Sequence, residues 1–302
     1  MQDISRRAVL GAVTAAPLLA AAPAFAAAQL TKPIPASGQP LPVIGMGTWI
    51  TFNVGDDPVL RQRRVEVLRA FFEAGGGMVD SSPMYASAEE VMGHCLEQLG
   101  PQPSLFSATK VWTSSPSGGQ EQIEASHRLW RLPRFDLLQV HNLVGWEAHL
   151  ERLFAMRAAG EVGYVGITTS HRRRHGDVAA LLEGQPLDFL QLTYNPVDRA
   201  AEARLLPLAQ ERGVAVIVNR PFQGGRLVDR AQRTPLPAWA ADIDCENWPQ
   251  ILLKYAVSHP VVTCAIPATS QVTHMRENMG AGRGRLPDAA ERRRIEAAVA
   301  EL

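Results

Sequence analysis

Eight short apolar runs, interleaved with stretches of helical periodicity, set the strongest limit on what this chain can fold into. The runs are Pro42 to Met46, Met78 to Asp80, Leu105 to Lys110, Phe135 to His141, Val162 to Thr168, Phe189 to Tyr194, Val214 to Asn219 and Val261 to Ile266. Each is too short for a helix and is bounded by turn or helix signals, as buried parallel strands are. Helical patterns are predicted at Val59 to Ala74, Ala88 to Leu99, Gln120 to Trp130, Trp146 to Ala159, Asp177 to Glu183, Ala200 to Glu211, Trp248 to Ser258 and Val272 to Gly280. Alternation of this kind closes an α/β (β/α)8 TIM barrel, here a single domain with an extra C-terminal helix over Pro287 to Leu302. The stretch Gln223 to Glu246 is long for a connection between strand and helix and reads as a functional loop.

Polar residues stand where three successive runs end: Asp80, Lys110 and His141, with Tyr85 just beyond the first. The carboxyl ends of barrel strands converge on one face, so these four side chains are expected to share a pocket. Singly, Asp80 reads equally well as a helix cap and Tyr85 as a surface aromatic. As a set they can protonate a carbonyl. A phenol holds its proton too tightly for the task, and a close ammonium, Lys110, is expected to lower the Tyr85 pKa. An ammonium in a dry pocket needs a carboxylate to stay charged, and Asp80 supplies it. His141 orients the carbonyl oxygen, and the complementary nucleophile is a hydride.

The segments VDSSPMYASAEEVMG, ATKVW and LLQVHN resemble the catalytic strand ends of the aldo-keto reductase superfamily. The likeness extends to IGMGTW, FLQLTYNP and IPATSQVTHMRENMG, from about Leu41 to the C-terminus. It implies a nicotinamide-dependent barrel that reduces an aldehyde or ketone to an alcohol. Tyr85 is then the proton donor, Lys110 and Asp80 its tuning pair, and His141 the carbonyl-orienting group. For the cofactor it implies Gly47, Thr48, Trp49 and Asp80 beside the nicotinamide, and Thr168, Thr169 and Gln191 at its carboxamide. Asn219, Arg220, Pro221 and Phe222 stand where many relatives carry an aromatic residue, a small polar residue, proline and leucine; Arg220 with Gly224 and Gly225 is assigned to the pyrophosphate. Pro267, Thr269, Ser270, His274, Glu277 and Asn278 take the adenosine end. Ala268 and His274 replace the lysine and arginine that grip the 2′-phosphate in one branch. NADPH is expected, with NADH as the alternative. Trp49, Met84, Trp112 and Phe222 are expected to line the substrate pocket, which has no C-terminal loop to cover it.

Residues 1–26 are a different object. Ser5-Arg6-Arg7 precedes an apolar stretch interrupted by Pro17 and Pro23, and a small-x-small pattern ends at Ala26. This resembles a twin-arginine export signal. Residues 27–40 read as a linker or N-terminal cap, and 41–302 as the barrel. The expected location is periplasmic or otherwise exported, or cytoplasmic if the signal is not used. The expected partners are the twin-arginine export machinery and a small carbonyl compound, without stable membrane association after cleavage. A nicotinamide enzyme outside the cytoplasm lacks a pool to recycle its cofactor, so a second reading stands beside the first: a non-catalytic, nucleotide-holding barrel that binds a ligand or partner.

Zero formal net charge and short arginine runs, Arg172 to Arg174 and Arg292 to Arg294, argue against nucleic acid. Cys95, Cys245 and Cys264 are far apart and show no metal spacing, and His171 and His175 flank three arginines, so no metal is expected.

Overall fold

The computed structural model describes residues 28–302, and the export segment expected over 1–26 lies outside them. Two strands come first, β1 (Thr31–Pro33) and β2 (Pro40–Pro42), paired antiparallel. Eight parallel strands follow: β3 (Met46–Gly47), β4 (Met78–Asp80), β5 (Phe106–Val111), β6 (Phe135–Val140), β7 (Val162–Thr168), β8 (Phe189–Thr193), β9 (Ala215–Asn219) and β10 (Val262–Ala265). They pair in chain order, and parallel bridges from Ile44 to Ala265 and from Gly47 to Ala268 close the first onto the last. Closure needs a bare backbone at Gly47, where a Cβ would stand 2.9 Å from the Ile266 carbonyl oxygen. The first strand is shorter than the predicted Pro42 to Met46 because Pro42 is taken by the preceding hairpin.

The helices are α1 (Pro58–Glu73), α2 (Ala88–Leu99), α3 (Pro116–Trp130), α4 (Trp146–Ala158), α5 (His175–Gly184), α6 (Leu205–Glu211), α7 (Arg226–Ala231), α8 (Trp248–Ser258), α9 (Val272–Gly280) and α10 (Ala289–Ala300). α3 starts four residues before the predicted Gln120, because Ser115 caps it and Pro116 occupies its first turn, where a missing N–H costs nothing. The pattern predicted over Ala200 to Glu211 is broken at Arg204 into a 3-10 turn and α6. The predicted loop from Gln223 to Glu246 contains α7 and a 3-10 turn, Ala238–Ile243. These short elements are held by burial of Leu227, Ala231, Ala240 and Ile243. At the other end of the chain, Asp288 and Glu291 form a reciprocal capping box that starts α10.

Two apolar layers result. Between strands and helices lies the main core, and inside the barrel Met78, Phe106, Leu137, Phe189, Ile217 and Ile266 pack with Ile34 and Leu41 of the hairpin. The hairpin therefore plugs the barrel at the end where the strands begin. Lys32 pins it there by donating to the carbonyls of Val257, His259 and Val262 at 2.7, 2.8 and 2.7 Å. With that end filled, the opposite face is left for a site. Among the described residues, no helix is long and apolar enough to cross a membrane.

Candidate active site

Strand ends place the four residues singled out by sequence around one cavity of about 490 Å³. Asp80 closes β4, Lys110 stands next to the end of β5, and His141 immediately follows β6. Tyr85 is carried by a 3-10 turn, Pro83–Tyr85, which forms because Ser82 caps it and Pro83 fits its first position. Asp80, Tyr85 and His141 line the cavity, while Lys110 is fully buried behind it.

Lys110 Nζ donates to Asp80 Oδ2 at 2.5 Å and to the Ser81 carbonyl at 2.7 Å. The other carboxylate oxygen, Oδ1, accepts from Gln139 Nε2 and Gln191 Nε2, each at 3.0 Å. A buried ion pair is tolerated when its remaining lone pairs and protons are satisfied in this way. Lys110 Nζ also lies over the Tyr85 ring, 5.1 Å from its centroid, and the Tyr85 and His141 rings meet edge to face at 5.7 Å.

Burial works against the Lys110 ammonium, but Asp80 and Tyr85 outweigh it and hold its pKa above the ordinary lysine value. Burial, helped by Lys110, pushes His141 down to about 2, so its imidazole is neutral at any working pH. Tyr85 corrects the sequence expectation. Burial raises its pKa, and the Lys110 ammonium offsets only part of the rise, to which Asp80 adds. The phenol therefore keeps its proton at neutral pH.

Gly47, Thr48, Trp49, Met84, Thr168, Gln191, Asn219, Arg220, Pro221, Phe222, Gly224 and Gly225 also line the cavity, as does Pro267, which was expected at the adenosine end. Several polar groups there are already committed. Gln191 spends its amide on Asp80, Thr168 Oγ1 accepts from the Asn142 backbone N–H at 3.0 Å, and Asn219 Oδ1 accepts from Thr193 at 2.7 Å. Arg220 is different: its guanidinium makes no hydrogen bond or ion pair among the described residues. Nearby, Gly224 and Gly225 have positive φ of 69° and 97°, and a Cβ at either would meet nothing within 4 Å. An unpartnered cation beside open backbone is the donor set an anionic pyrophosphate needs.

Other expected residues do not reach the cavity wall. The Thr169 hydroxyl is closed into a turn, donating to the His171 carbonyl at 3.1 Å and accepting its amide at 3.2 Å. Trp112 stands outside, 43% exposed, with its backbone held by both ends of the Gln122 amide. The distance of one residue beyond the strand end of β5 carries it past the rim. Thr269, Ser270, His274, Glu277 and Asn278 lie on the run into α9 and on α9 itself, away from the acid-base set; Glu277 borders a separate polar cavity of about 430 Å³. Sequence reasoning missed Ser82, Gln139 and the lining residues Ile50, Thr51, Asn142 and Ser170; Ala268 and His171, considered there only for the 2′-phosphate and for a metal, line the cavity as well. For Gln139 a signal existed, since an amide in the otherwise apolar end of β6 must find a partner when buried.

A family model described as the aldo/keto reductase family matches residues 43–299. Methylglyoxal reductase YeaE of Escherichia coli is 30% identical over 247 residues, covering 79% of this chain and 84% of that protein. An NADH-specific methylglyoxal reductase from the same organism is 23% identical, covering 74% and 80%. Among solved structures, an aldo/keto reductase from Klebsiella pneumoniae in complex with NADP and acetate superposes with a TM-score of 0.73 at 25% identity, covering 87% of this chain and 93% of that one.

Proposed function

This chain belongs to the aldo/keto reductase family, and from that premise we propose that it reduces a small aldehyde or ketone to an alcohol, using NADPH and with Tyr85 as proton donor. The observation that carries the reading is the convergence of a protonated phenol, a neutral imidazole and a buried Lys110–Asp80 pair on one cavity. The cavity suits the cofactor: Trp49 and Phe222 offer apolar walls, and Arg220 with Gly224 and Gly225 a place for phosphates. Bound there, a reduced nicotinamide supplies the hydride.

The rest is done by the chain's own groups. As negative charge develops on the carbonyl oxygen, Tyr85 transfers its phenolic proton to it. The resulting phenolate is stabilised by the Lys110 ammonium, which Asp80 keeps charged. His141, whose ring meets that of Tyr85 at a near-right angle, holds the oxygen in place. Methylglyoxal reductases among the relatives make small 2-oxoaldehydes the first substrates to try. His274 is the candidate for the 2′-phosphate and favours NADPH over NADH.

Fluorescence titration with NADPH and NADH, followed by turnover of an aldehyde panel, tests the proposal. Tyr85→Phe should leave cofactor affinity intact while lowering kcat by roughly 10²–10⁴-fold. Near-normal turnover in that variant removes Tyr85 as the acid, and NADPH binding without turnover by the unaltered protein would favour a nucleotide-holding barrel instead. We also infer export through the twin-arginine pathway from Ser5-Arg6-Arg7 and the segment after it. That pathway carries folded proteins, so a prebound cofactor can travel with the barrel. Replacing both arginines by lysine should retain the protein in the cytoplasm on cell fractionation; unchanged localisation would refute this.

A further inference from the structure

Ser82 is fully buried, and its hydroxyl has two neighbours: His141 Nδ1 at 2.8 Å and the Met84 amide nitrogen at 3.2 Å. An amide nitrogen can only donate, so towards Met84 the hydroxyl is an acceptor. Its single proton is then free for His141. The reverse arrangement, with Nδ1–H donating to Ser82, would leave the hydroxyl proton with no acceptor among the described residues, in a site where an idle polar hydrogen is costly. Only one assignment satisfies both groups: Ser82 donates, and His141 Nδ1 accepts.

A neutral imidazole has one N–H, so with Nδ1 accepting, the proton sits on Nε2. His141 Nε2 makes no hydrogen bond to any described residue, and the ring lines the cavity. We propose that Ser82 is a positioning residue that locks His141 in the Nε2–H tautomer and so presents a hydrogen-bond donor, not an acceptor, to the oxygen of the carbonyl substrate. The role rests on the reading of this cavity as a carbonyl-reducing site. A carbonyl oxygen can only accept, so an imidazole in the other tautomer would repel it.

Two readouts test this, one independent of activity. In the cofactor-free protein, 15N NMR of His141, assigned by comparison with His141→Asn, should show an unprotonated Nδ1 and a protonated Nε2. Ser82→Ala should shift both resonances towards a tautomer mixture. In turnover, Ser82→Ala should lower kcat about 10–100-fold, the loss typical when the hydrogen-bond partner that orients a metal-ligating histidine is removed, with little change in NADPH affinity. Ser82→Thr, which keeps the hydroxyl on the same extended backbone, should recover most of the rate and the original resonances. Unchanged His141 resonances in Ser82→Ala overturn the proposal, as does a shifted tautomer with undiminished kcat. If the unaltered protein reduces no carbonyl at all, the functional reading fails while the NMR comparison still decides whether Ser82 sets the tautomer.

Discussion

Replacing Lys110 by methionine separates the stability of the site from its chemistry. Both members of the pair are essentially inaccessible, at 0% and 2% exposure, and Nζ and Oδ2 are 2.5 Å apart. In Lys110→Met the Gln139 and Gln191 amides still serve Oδ1, but Oδ2 loses its cation and is left as buried charge with no donor. Removing one partner of such a pair costs about 3–5 kcal/mol. At roughly 2–4 °C per kcal/mol for a domain of this size, the melting temperature should fall by roughly 6–20 °C. The Lys110 pKa is raised in the fold, so its contribution is complete below the unfolded value of 10.5 and is lost only as pH rises beyond the folded one. The titration of Lys110 itself therefore adds no difference between pH 6 and pH 9. Asp80→Leu with Lys110→Met removes the orphaned charge and should recover much of the stability, while neither variant recovers activity. Differential scanning calorimetry of the four proteins of this cycle, with turnover in parallel, is the assay. A single variant that melts with the unaltered protein would refute the claim that Asp80 is held as a carboxylate by Lys110.

Other outcomes follow from the same geometry. Because His141 is held down to about 2, kcat for reduction should show no inflection between pH 5 and 8; a step near 6.5 would mean that the ring titrates in the working range. His274→Ala should raise the Michaelis constant for NADPH and leave that for NADH unchanged, and equal effects would remove His274 from the 2′-phosphate. Arg220→Ala should weaken both cofactors, by about 10-fold for the loss of one charge-assisted contact, and unaltered binding would place the pyrophosphate elsewhere. Trp49→Ala should raise the Michaelis constant for an aromatic aldehyde, whereas Trp112→Ala, outside the cavity, should not.

The barrel was legible because a strand buried on both faces has to be short and continuously apolar, and a polar residue at its carboxyl end then stands out. Asp80, Lys110 and His141 announce themselves in this way. Ser82 does not, since in SSPMY it reads only as a turn residue, and its bond to His141 depends on the approach of a segment 59 positions away. Gln139 pairs in register with Lys110 across β5 and β6, a fact of sheet alignment that periodicity does not carry. α7 escaped because six residues flanked by Gly224-Gly225 and Pro235 show too little periodicity to separate a helix from a loop. The Tyr85 pKa was misjudged for a different reason. Sequence names the neighbouring charges but not the depth of the pocket, and here depth prevails.

That last reversal bears on the direction of the reaction. A phenol lowered towards neutrality would be divided between acid and base, serving reduction and oxidation alike. Burial instead keeps Tyr85 protonated, and Asp80, which must stay ionised to hold Lys110, adds to the rise. The proton is then surrendered only to something more basic than the phenolate itself. A developing alkoxide is such a base, whereas a ground-state carbonyl oxygen is not, so transfer is confined to the moment at which charge appears on oxygen. Running backwards, the same site needs Tyr85 ionised before an alcohol can be deprotonated, and the population of that form grows only at alkaline pH. In the proposed mechanism the pair behind the phenol does two things at once: its cation stabilises the phenolate after proton transfer, and its anion keeps that cation from being lost. In the proposed mechanism, a phenol that keeps its proton at neutral pH is the acid that reduction requires.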